Sequence, residues 1–479
     1  MYLVTIGLEV HVQLNTQTKI FCGCAVRFGS EPNSLVCPVC LGLPGVLPVL
    51  NRRVFSLGLR AGMATQGTPS KKIKCDRKND FYPDLPKGYQ ISQFDCPLGQ
   101  GGLIEVQRDG KTQAIRLNRI HIEEDAGKLI HDQSPDHSLV DLNRAGTPLI
   151  EIVSEPDLES PDEAYEYLTQ LKAILKSIAV SECDMEKGHL RCDANVSLRK
   201  NASDQLGKKV EIKNLNSFKA VKASLQYEIG RQTEALDKSE KISQETRLWD
   251  DGRQKTFPMR SKEEAHDYRY FPEPDLVPFF VTEEEVLKEK NALPELPKQK
   301  EARCMKEYGL SVYDAKLLSQ ETEVSSFFES AGKADRNYKA IANWITGPLF
   351  AYLSAQSVSL SQTRLTPEAL VKLNALVEAG QMSFQAAKDK VFGEVVEKGL
   401  DPEAVMKEKG LVQVSDEGAL KEWVAEAIQN NPKVVEDFKS GKESSAMFLV
   451  GQVMKKSQGK ANPGKVQELI RKKLKENSL

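Results

Sequence analysis

The chain has 479 residues, of which 40% are hydrophobic and 28% are charged, and its formal net charge is −2. This composition is too apolar for a disordered protein, and the length predicts two to four domains with hydrophobic cores. The nine cysteines are few and odd in number, which argues against a disulfide scaffold and for a reducing compartment.

The N-terminal stretch MYLVTIGLEVHVQL alternates apolar and polar residues, which predicts a β-strand. It lacks the basic region and the small-residue cleavage site of a signal peptide. No stretch approaches the roughly 18 uninterrupted apolar residues of a membrane span, so we expect a soluble, cytoplasmic protein with no membrane partner.

A cluster of four cysteines follows, with the spacing C-x-C, twelve intervening residues and C-x-x-C: Cys22, Cys24, Cys37 and Cys40. Two tight turns that each supply two thiolates match the tetrahedral coordination of Zn²⁺, so we predict a structural zinc site. A redox C-x-x-C motif would not need the second pair. The other cysteines are interpreted as packing residues: Cys75, Cys96, Cys183, Cys192 and Cys304.

Basic residues suited to binding phosphates come next, in the segment KCDRKNDFYPDLPKGYQISQ and beyond it: Lys74, Arg77, Lys78, Lys87, Arg144, Arg191 and Lys213. Lys and Arg beside a metal ion are what phosphoryl transfer requires, because its catalysis is mostly positioning and charge neutralisation. The sequence contains no Walker-type G-x-x-x-x-G-K-[ST] segment. Any ATP site must therefore be of another kind.

The segment HIEEDAGKLI places Glu123, Glu124 and Asp125 in succession. Strand alternation would put Glu123 and Asp125 on one face and Glu124 on the other. Adjacent carboxylates repel one another unless a cation lies among them, and oxygen donors favour Mg²⁺ or Mn²⁺. Other polar residues in strand-like segments fit the same site: Glu9, His11, Asp141, Glu151, Glu155, Asp193 and Asn195. The alternative is that each simply faces solvent from a half-exposed strand.

Mixed α and β signals continue to about residue 290. A helix is predicted after Ser160 as N-cap with Pro161 at the first position, and another from Ser217. The Asp-Gly step in WDDGRQ predicts a hairpin turn. Beyond residue 290 the composition favours helices, with a further break between residues 400 and 412.

The C-terminal segment Val453 to Leu479 contains eight Lys or Arg residues and two Glu. Such a basic segment attracts phosphate backbones even on a nearly neutral protein. The alternative interpretation is a solvated helix face.

Many of these segments resemble, in the same order, the sequence motifs of the GatB family. Members of this family are a subunit of the bacterial Asp/Glu-tRNA amidotransferase. The resemblance spans essentially the whole chain and rests on these motifs: GLEVHVQLNTQTKIFC, CPVCLGLPGVLPVLN, DRKNDFYPDLPKGYQISQ, HIEEDAGKL, DLNRAGTPLIEIVSEPD, LRCDANVSLR, EIKNLNSF, DYRYFPEPDL and GQVMKKSQGKANP.

The resemblance implies an α+β protein. A mixed, largely antiparallel β-sheet cradle with helices would occupy residues 1–292, an all-α helical domain residues 293–405, and a small all-α, tRNA-binding tail domain residues 406–479. The implied partners are an amidase (glutaminase) subunit, which releases ammonia from glutamine or asparagine, and a small third subunit that completes a heterotrimer.

The implied activity is ATP- and Mg²⁺-dependent phosphorylation of the side-chain carboxylate of misacylated Glu-tRNA(Gln) or Asp-tRNA(Asn). Ammonia then displaces the phosphate, giving Gln-tRNA(Gln) or Asn-tRNA(Asn), and is implied to arrive through a tunnel. An acyl phosphate supplies the leaving group that a carboxylate lacks, so the predicted metal and basic residues acquire a defined role.

Carried over to this sequence, the resemblance makes His11, Glu124 and Glu151 the candidate metal ligands. Glu9, Glu123 and Asp193 would support these ligands or the phosphate site, together with basic residues that include Lys78, Arg144 and Lys213. The choice between the neighbours Glu123 and Glu124 stays open.

Two other functions compete with this interpretation. The chain could be a non-catalytic tRNA-binding adaptor in which zinc and acids stabilise the fold. A free-standing metal-dependent hydrolase is disfavoured, because the sequence shows neither a dense His motif nor a Ser/His/Asp arrangement.

Overall fold

The computed structural model describes residues 2–108, 110–130, 137–259, 268–412, 417–439, 444–457 and 461–476. The chain divides into two compact units, Met1–Pro297 and Lys298–Leu479. The first combines strands and helices, whereas the regular elements described in the second are all helical. The predicted α+β class, with a largely antiparallel sheet followed by helices, is confirmed. The predicted division into three domains stays a prediction.

The strands all belong to the first unit, as far as its residues are described, and are numbered in chain order: β1 (Leu3–Gln13), β2 (Thr68–Pro69), β3 (Lys72–Ile73), β4 (Asp76–Asn79), β5 (Tyr89–Ser92), β6 (Gly99–Gln100), β7 (Leu103–Arg108), β8 (Lys111–Glu124), β9 (Lys128–Ile130), β10 (Leu139–Asp141), β11 (Pro148–Ser154), β12 (Leu190–Arg199), β13 (Val210–Leu215), β14 (Glu245–Asp250), β15 (Lys255–Pro258), β16 (Phe271–Pro272) and β17 (Phe279–Phe280).

A ten-stranded sheet forms the centre of the first unit, in the order β15-β14-β13-β12-β1-β11-β8-β6-β2, with β7 also paired to β8. Neighbouring described strands are antiparallel except for β13 and β14. The alternation predicted for β1 is confirmed, since Ile6, Leu8, Val10 and Val12 are buried in the core. The opposite face of the sheet is therefore available to the polar residues of the same strands.

Among the described residues of the first unit, four helices accompany this sheet: α1 (Arg52–Ala64), α2 (Pro161–Ser177), α3 (Phe218–Asp237) and α4 (Glu283–Asn291). The predicted helix starts are confirmed. The Ser160 hydroxyl accepts a hydrogen bond from the Glu163 amide and the Ser217 hydroxyl one from the Ala220 amide, which satisfies exposed N–H groups of the first turn. The predicted hairpin is also present, because β14 and β15 pair across the turn that contains Gly252.

The second unit contains these helices: α5 (Pro297–Tyr308), which begins at its boundary, α6 (Val312–Gln320), α7 (Thr322–Asp335), α8 (Tyr338–Trp344), α9 (Phe350–Gln356), α10 (Pro367–Glu378), α11 (Phe384–Ala386), α12 (Gly393–Lys398), α13 (Pro402–Glu408), α14 (Glu417–Gln429), α15 (Pro432–Lys439), α16 (Ser445–Lys456) and α17 (Pro463–Glu476). Short π-helical segments at Ile345–Leu349 and Ala387–Phe392 and a 3₁₀ turn at Leu360–Gln362 interrupt them.

Within the part of the second unit that the structure describes, buried apolar residues form two clusters, one between Cys304 and Met406 and one between Leu420 and Leu474. None of the described helices combines the length and the apolar character needed to cross a membrane.

Candidate functional site

The candidate site lies on the polar face of the central sheet, where β8, β11 and β1 are neighbours. Glu151 pairs with His121 on one side and with His11 on the other. Glu123 follows His121 by two residues and so projects from the same face of β8. Three strands that are distant in sequence thus place two imidazoles and two carboxylates side by side.

The atoms of His11, Glu123 and Glu151 are close enough to hold one metal ion. The His11 Nε2 atom lies 3.3 Å from Glu123 Oε1 and 3.8 Å from Glu151 Oε2. One potential ligand atom from each residue lies within 4.8 Å of the others. An imidazole nitrogen and two carboxylates, one of them almost wholly buried, fit a divalent cation and leave coordination positions for other oxygens.

His121 was not among the predicted site residues, yet it joins both carboxylates. Its Nε2 atom lies 2.9 Å from Glu151 Oε2 and 3.7 Å from Glu123 Oε2, and its side chain is only 2% exposed. The sequence offered one signal, the spacing of two residues between His121 and Glu123, which places both on the same face of a strand. The proximity to Glu151 depends on strand order and was not visible.

The electrostatics of this group reflect mutual stabilisation between imidazoles and carboxylates. Burial by itself would lower the pKa of His121, but hydrogen bonds to Glu123 and Glu151 raise it to about 9. Burial alone would raise the pKa of the Glu123 carboxyl, but His11 and His121 hold it well below its ordinary value. The two carboxylates are therefore maintained in the charged form that binds cations.

A lysine and an aromatic ring border the carboxylates. The Lys78 Nζ atom lies 4.8 Å from the centre of the Tyr268 ring. Burial acts to lower the pKa of Lys78, but the carboxylates of Glu123 and Glu151 raise it above its ordinary value. Lys78, predicted to contact phosphate, therefore remains charged within the field of the candidate metal ligands.

Glu124 projects to the opposite face of β8, as alternation requires. Its carboxylate is ion-paired with Lys87 and accepts a hydrogen bond of 2.8 Å from the Ile91 amide. The structure therefore does not bring His11, Glu124 and Glu151 together, because Glu123, the alternative that the sequence left open, occupies the position beside His11.

The polar face continues from His11 along β1 to Glu9, which pairs with Asp193 on β12. The Lys213 Nζ atom lies 2.8 Å from Asp193 Oδ2. Burial acts to lower the pKa of Lys213, but Asp193 and then Glu211 raise it. Burial and the nearby Glu151 raise the pKa of Glu9. Glu9 also lines a groove of about 700 Å³.

Arg144, predicted to bind phosphate, contacts the loop after β8, and its role at a phosphate stays a prediction. Its guanidinium donates hydrogen bonds of 3.0 and 2.6 Å to the carbonyls of Ala126 and Gly127. Asp125 instead accepts a hydrogen bond of 2.8 Å from Arg191. The structure therefore brings together Glu9, His11, Glu123, Glu151 and their neighbours Lys78, Asp193 and Lys213 on one face, and assigns Arg144 to holding the loop after β8.

The cysteine cluster is assembled as the spacing predicted. One Sγ atom from each of the four cysteines lies within 4.8 Å of the others, which suits the tetrahedral geometry of zinc. The buried Lys19 Nζ atom lies 3.6 Å from Cys40 Sγ. The hydrogen bond with Cys22 and the nearby lysine help to lower the pKa of the Cys40 thiol to about 4. These four donors therefore fit a thiolate-bound metal.

Comparison with known proteins identifies the family. The sequence pattern described as the GatB/GatE catalytic domain matches residues 4–287, more than half of the chain. The chain belongs to the GatB family. A second pattern, described as a GatB domain, matches residues 326–474. The first GatB match contains both the imidazole–carboxylate group and the cysteine cluster.

Full-length GatB relatives agree with this assignment. A protein of Thermoanaerobacter sp., named as the B subunit of an aspartyl/glutamyl-tRNA(Asn/Gln) amidotransferase, is 51% identical over 473 residues, covering 99% of both chains. A protein of the same name from Carboxydothermus hydrogenoformans is 51% identical over 476 residues, again covering 99% of both. One from Brevibacillus brevis is 50% identical over 478 residues, covering 100% of this chain and 99% of its own.

Proposed function

We propose that this GatB chain is the subunit of a multi-subunit amidotransferase that activates a carboxylate attached to tRNA. ATP would phosphorylate the side chain of glutamate in Glu-tRNA(Gln) or of aspartate in Asp-tRNA(Asn). The observation that carries the proposal is the group His11, Glu123 and Glu151 beside Lys78, within the residues that match the GatB catalytic domain.

The first step would transfer the γ-phosphoryl group of ATP to a side-chain oxygen, with ADP as the leaving group. A Mg²⁺ ion held by His11, Glu123 and Glu151 would neutralise phosphate oxygens during this transfer. Lys78 would add a fixed positive charge, which its position near Glu123 and Glu151 maintains. The same residues would orient the phosphate against the attacking carboxylate.

In the second step ammonia attacks the carbonyl carbon of the acyl phosphate, and inorganic phosphate leaves with its bonding electron pair. The attacking nitrogen must also lose a proton. Glu9 lies two residues from His11 on the same face, and burial together with Glu151 raises the pKa of its carboxyl, which makes the carboxylate a better proton acceptor. The product is the side-chain amide on tRNA.

Ammonia would come from an amidase partner through the groove that Glu9 and Asn195 line. Asn195 donates a hydrogen bond of 3.0 Å to Glu9 Oε1, so a larger apolar residue there would remove this polar contact and narrow the groove. In Asn195→Leu we expect glutamine hydrolysis to continue while less of the released ammonia appears in the amide. An unchanged ratio of amide formed to glutamine hydrolysed would rule out this route.

The decisive experiment uses the chain reconstituted with its amidase and small partner subunits, Glu-tRNA(Gln), ATP and Mg²⁺. His11→Ala should abolish tRNA-dependent ADP release but leave tRNA affinity nearly unchanged. His137→Ala, at an exposed position, is the matched control. Full ADP release by His11→Ala would favour the adaptor function. Parallel assays with Asp-tRNA(Asn) identify the physiological substrate.

The basic C-terminal segment is proposed to bind the tRNA backbone. In α17, Val466, Ile470 and Leu474 are buried, whereas Arg471 and Lys472 are exposed. Because each lost phosphate contact reduces the slope of log affinity against log salt by roughly 0.7 to 0.9, the double variant Arg471→Gln/Lys472→Gln should reduce it by about 1.5. An unaltered slope would mean that this helix face is only solvated.

The cysteine cluster is proposed to hold one structural Zn²⁺ per chain. Metal analysis of the purified protein tests the stoichiometry directly. Cytoplasmic localisation and assembly into a heterotrimer are likewise proposals, and co-purification with the amidase and small subunits tests the assembly.

A further inference from the structure

His121 is buried in the polar face for a reason that the proposed metal site does not by itself explain. Its side chain is 2% exposed, yet its Nδ1 atom has no hydrogen-bond partner among the described residues. Burying a polar nitrogen without a partner is unfavourable. The interactions that compensate for this burial are made by the other ring nitrogen, Nε2, which faces the oxygens of Glu151 and Glu123.

The two imidazoles share Oε2 of Glu151 but face different oxygens of Glu123. His121 lies against Oε2 of both carboxylates, at 2.9 Å from Glu151 and 3.7 Å from Glu123. His11 instead lies 3.3 Å from Oε1 of Glu123. The Glu123 carboxylate is thus fixed between the two imidazoles, with different oxygens toward each, and Ser92 Oγ adds a contact of 3.4 Å to Oε2.

We infer that His121 is a positioning residue that orients the carboxylates of Glu151 and Glu123 toward His11 for a divalent cation. The inference rests on the proposed function, in which His11, Glu123 and Glu151 hold that cation. Metal-binding carboxylates that are held by outer hydrogen bonds do not have to lose rotational freedom when the ion binds. His121 is not required to touch the cation.

An ordinary core histidine would behave differently. It would contribute packing and stability, and its replacement would change the free energy of unfolding without a specific effect on cation affinity. The sheet register argues against that role, because His121 stands directly opposite Glu151, which stands directly opposite His11. Both imidazoles therefore face Glu151 Oε2, with the His121 Nε2 atom at 2.9 Å and the His11 Nε2 atom at 3.8 Å.

A matched pair of amide variants separates the two roles. In His121→Gln the amide nitrogen reaches the position of Nε2, whereas in His121→Asn it reaches only the position of Nδ1. Binding of Mn²⁺ alone to the full-length chain is measured by electron paramagnetic resonance of the free ion. We expect His121→Asn to weaken Mn²⁺ binding by about 10- to 100-fold. His121→Gln should retain most of the affinity.

Circular dichroism and zinc content establish that each variant is folded. His121→Leu fills the ring volume without a donor and should behave like His121→Asn, which keeps the test available if one variant is unstable. In the reconstituted complex, the KM for Mg²⁺ should rise more in His121→Asn than in His121→Gln, with a smaller change in kcat at saturating Mg²⁺.

The outcomes separate this inference from the function on which it rests. If folded His121→Asn and His121→Leu bind Mn²⁺ as tightly as the unmodified chain, the positioning role is overturned and the metal site stands. If the unmodified chain itself does not bind Mn²⁺, the proposed metal site fails and the positioning role fails with it. Equal losses in the Gln and Asn variants would also contradict the inference.

Discussion

Glu123 and Glu124 are adjacent in the chain and equally buried, with 2% and 3% of their surfaces exposed, yet they belong to different environments. Glu123 lies between the imidazoles of His11 and His121. Glu124 lies on the other face, ion-paired with Lys87 and bonded to the Ile91 amide. Burial therefore does not distinguish a candidate ligand from a structural anchor, whereas the partners do.

The face that carries Glu124 adjoins the cysteine cluster. A Cβ atom added at Gly146 would lie 3.6 Å from Cys40 Cβ and 3.8 Å from Glu124 Oε2. A cavity of about 110 Å³ is lined by residues of the cysteine cluster and by residues around Glu124, including Lys19 and Lys87. The proposed zinc site thus supports the face that carries Glu124, and the proposed divalent-cation site lies on the face that carries Glu123.

The largest effect is expected from Glu123→Gln. The substitution keeps the shape of the side chain but removes the charge beside His11 and His121, so cation binding and phosphoryl transfer should both suffer. We expect tRNA-dependent ADP release to fall at least about 100-fold, with tRNA affinity retained. A rate close to that of the unmodified complex would remove the contrast between the two glutamates.

Glu124→Ala should act mainly on stability. It leaves the Lys87 ammonium, whose side chain is 12% exposed, without its partner, and breaking a largely buried ion pair costs about 3 kcal/mol. Urea unfolding measures this cost, and the double variant Glu124→Leu/Lys87→Met should recover part of it. A loss of Mn²⁺ affinity as large as in Glu123→Gln, in a folded Glu124→Ala chain, would restore Glu124 as a ligand.

Cys37→Ser should release the zinc. It should loosen the face of the sheet that carries Glu124 before the face that carries His11, Glu123 and Glu151. Hydrogen exchange should accelerate in residues 37–43 and 87–91, with a smaller change around His11 and Glu151. Metal analysis gives the zinc content of the same sample. Retention of zinc, or equal acceleration on both faces, would contradict this order.

The smallest effect is expected from Gly42→Ala. Gly42 has a φ of +68° and an added Cβ would lie 2.3 Å from Lys87 Cγ, so the lysine must move. Gly45 has a φ of +85° with open space around it and is the matched control. Both Ala variants should lose about 1 kcal/mol through backbone strain. In urea unfolding, the free energy of unfolding should fall further in Gly42→Ala than in Gly45→Ala, because only Gly42→Ala also displaces Lys87. Equal losses would show that the contact with Lys87 is unimportant.

Local features were predictable because they depend on neighbouring residues. Ser160 and Ser217 cap helices, the Asp-Gly turn closes a hairpin, and the cysteine spacing assembles four sulfur atoms. The pleat also predicted that Glu123 and Glu124 would point to opposite faces. Their partners could not be predicted in the same way, and only the structure places Glu123, the alternative that the sequence left open, beside His11.

The amino-acid sequence alone was enough to predict the faces of the strands, the caps of the helices and the family. Each of these depends on the local spacing of residues or on the order of sequence motifs. The folded sheet was needed to show that β8, β11 and β1 lie side by side, which joins His121 to Glu151 and Glu151 to His11. It also directed Arg144 to backbone carbonyls. Alternation fixes the direction of a side chain, whereas distances between strands depend on the pairing order, which is set by the burial of the whole sheet.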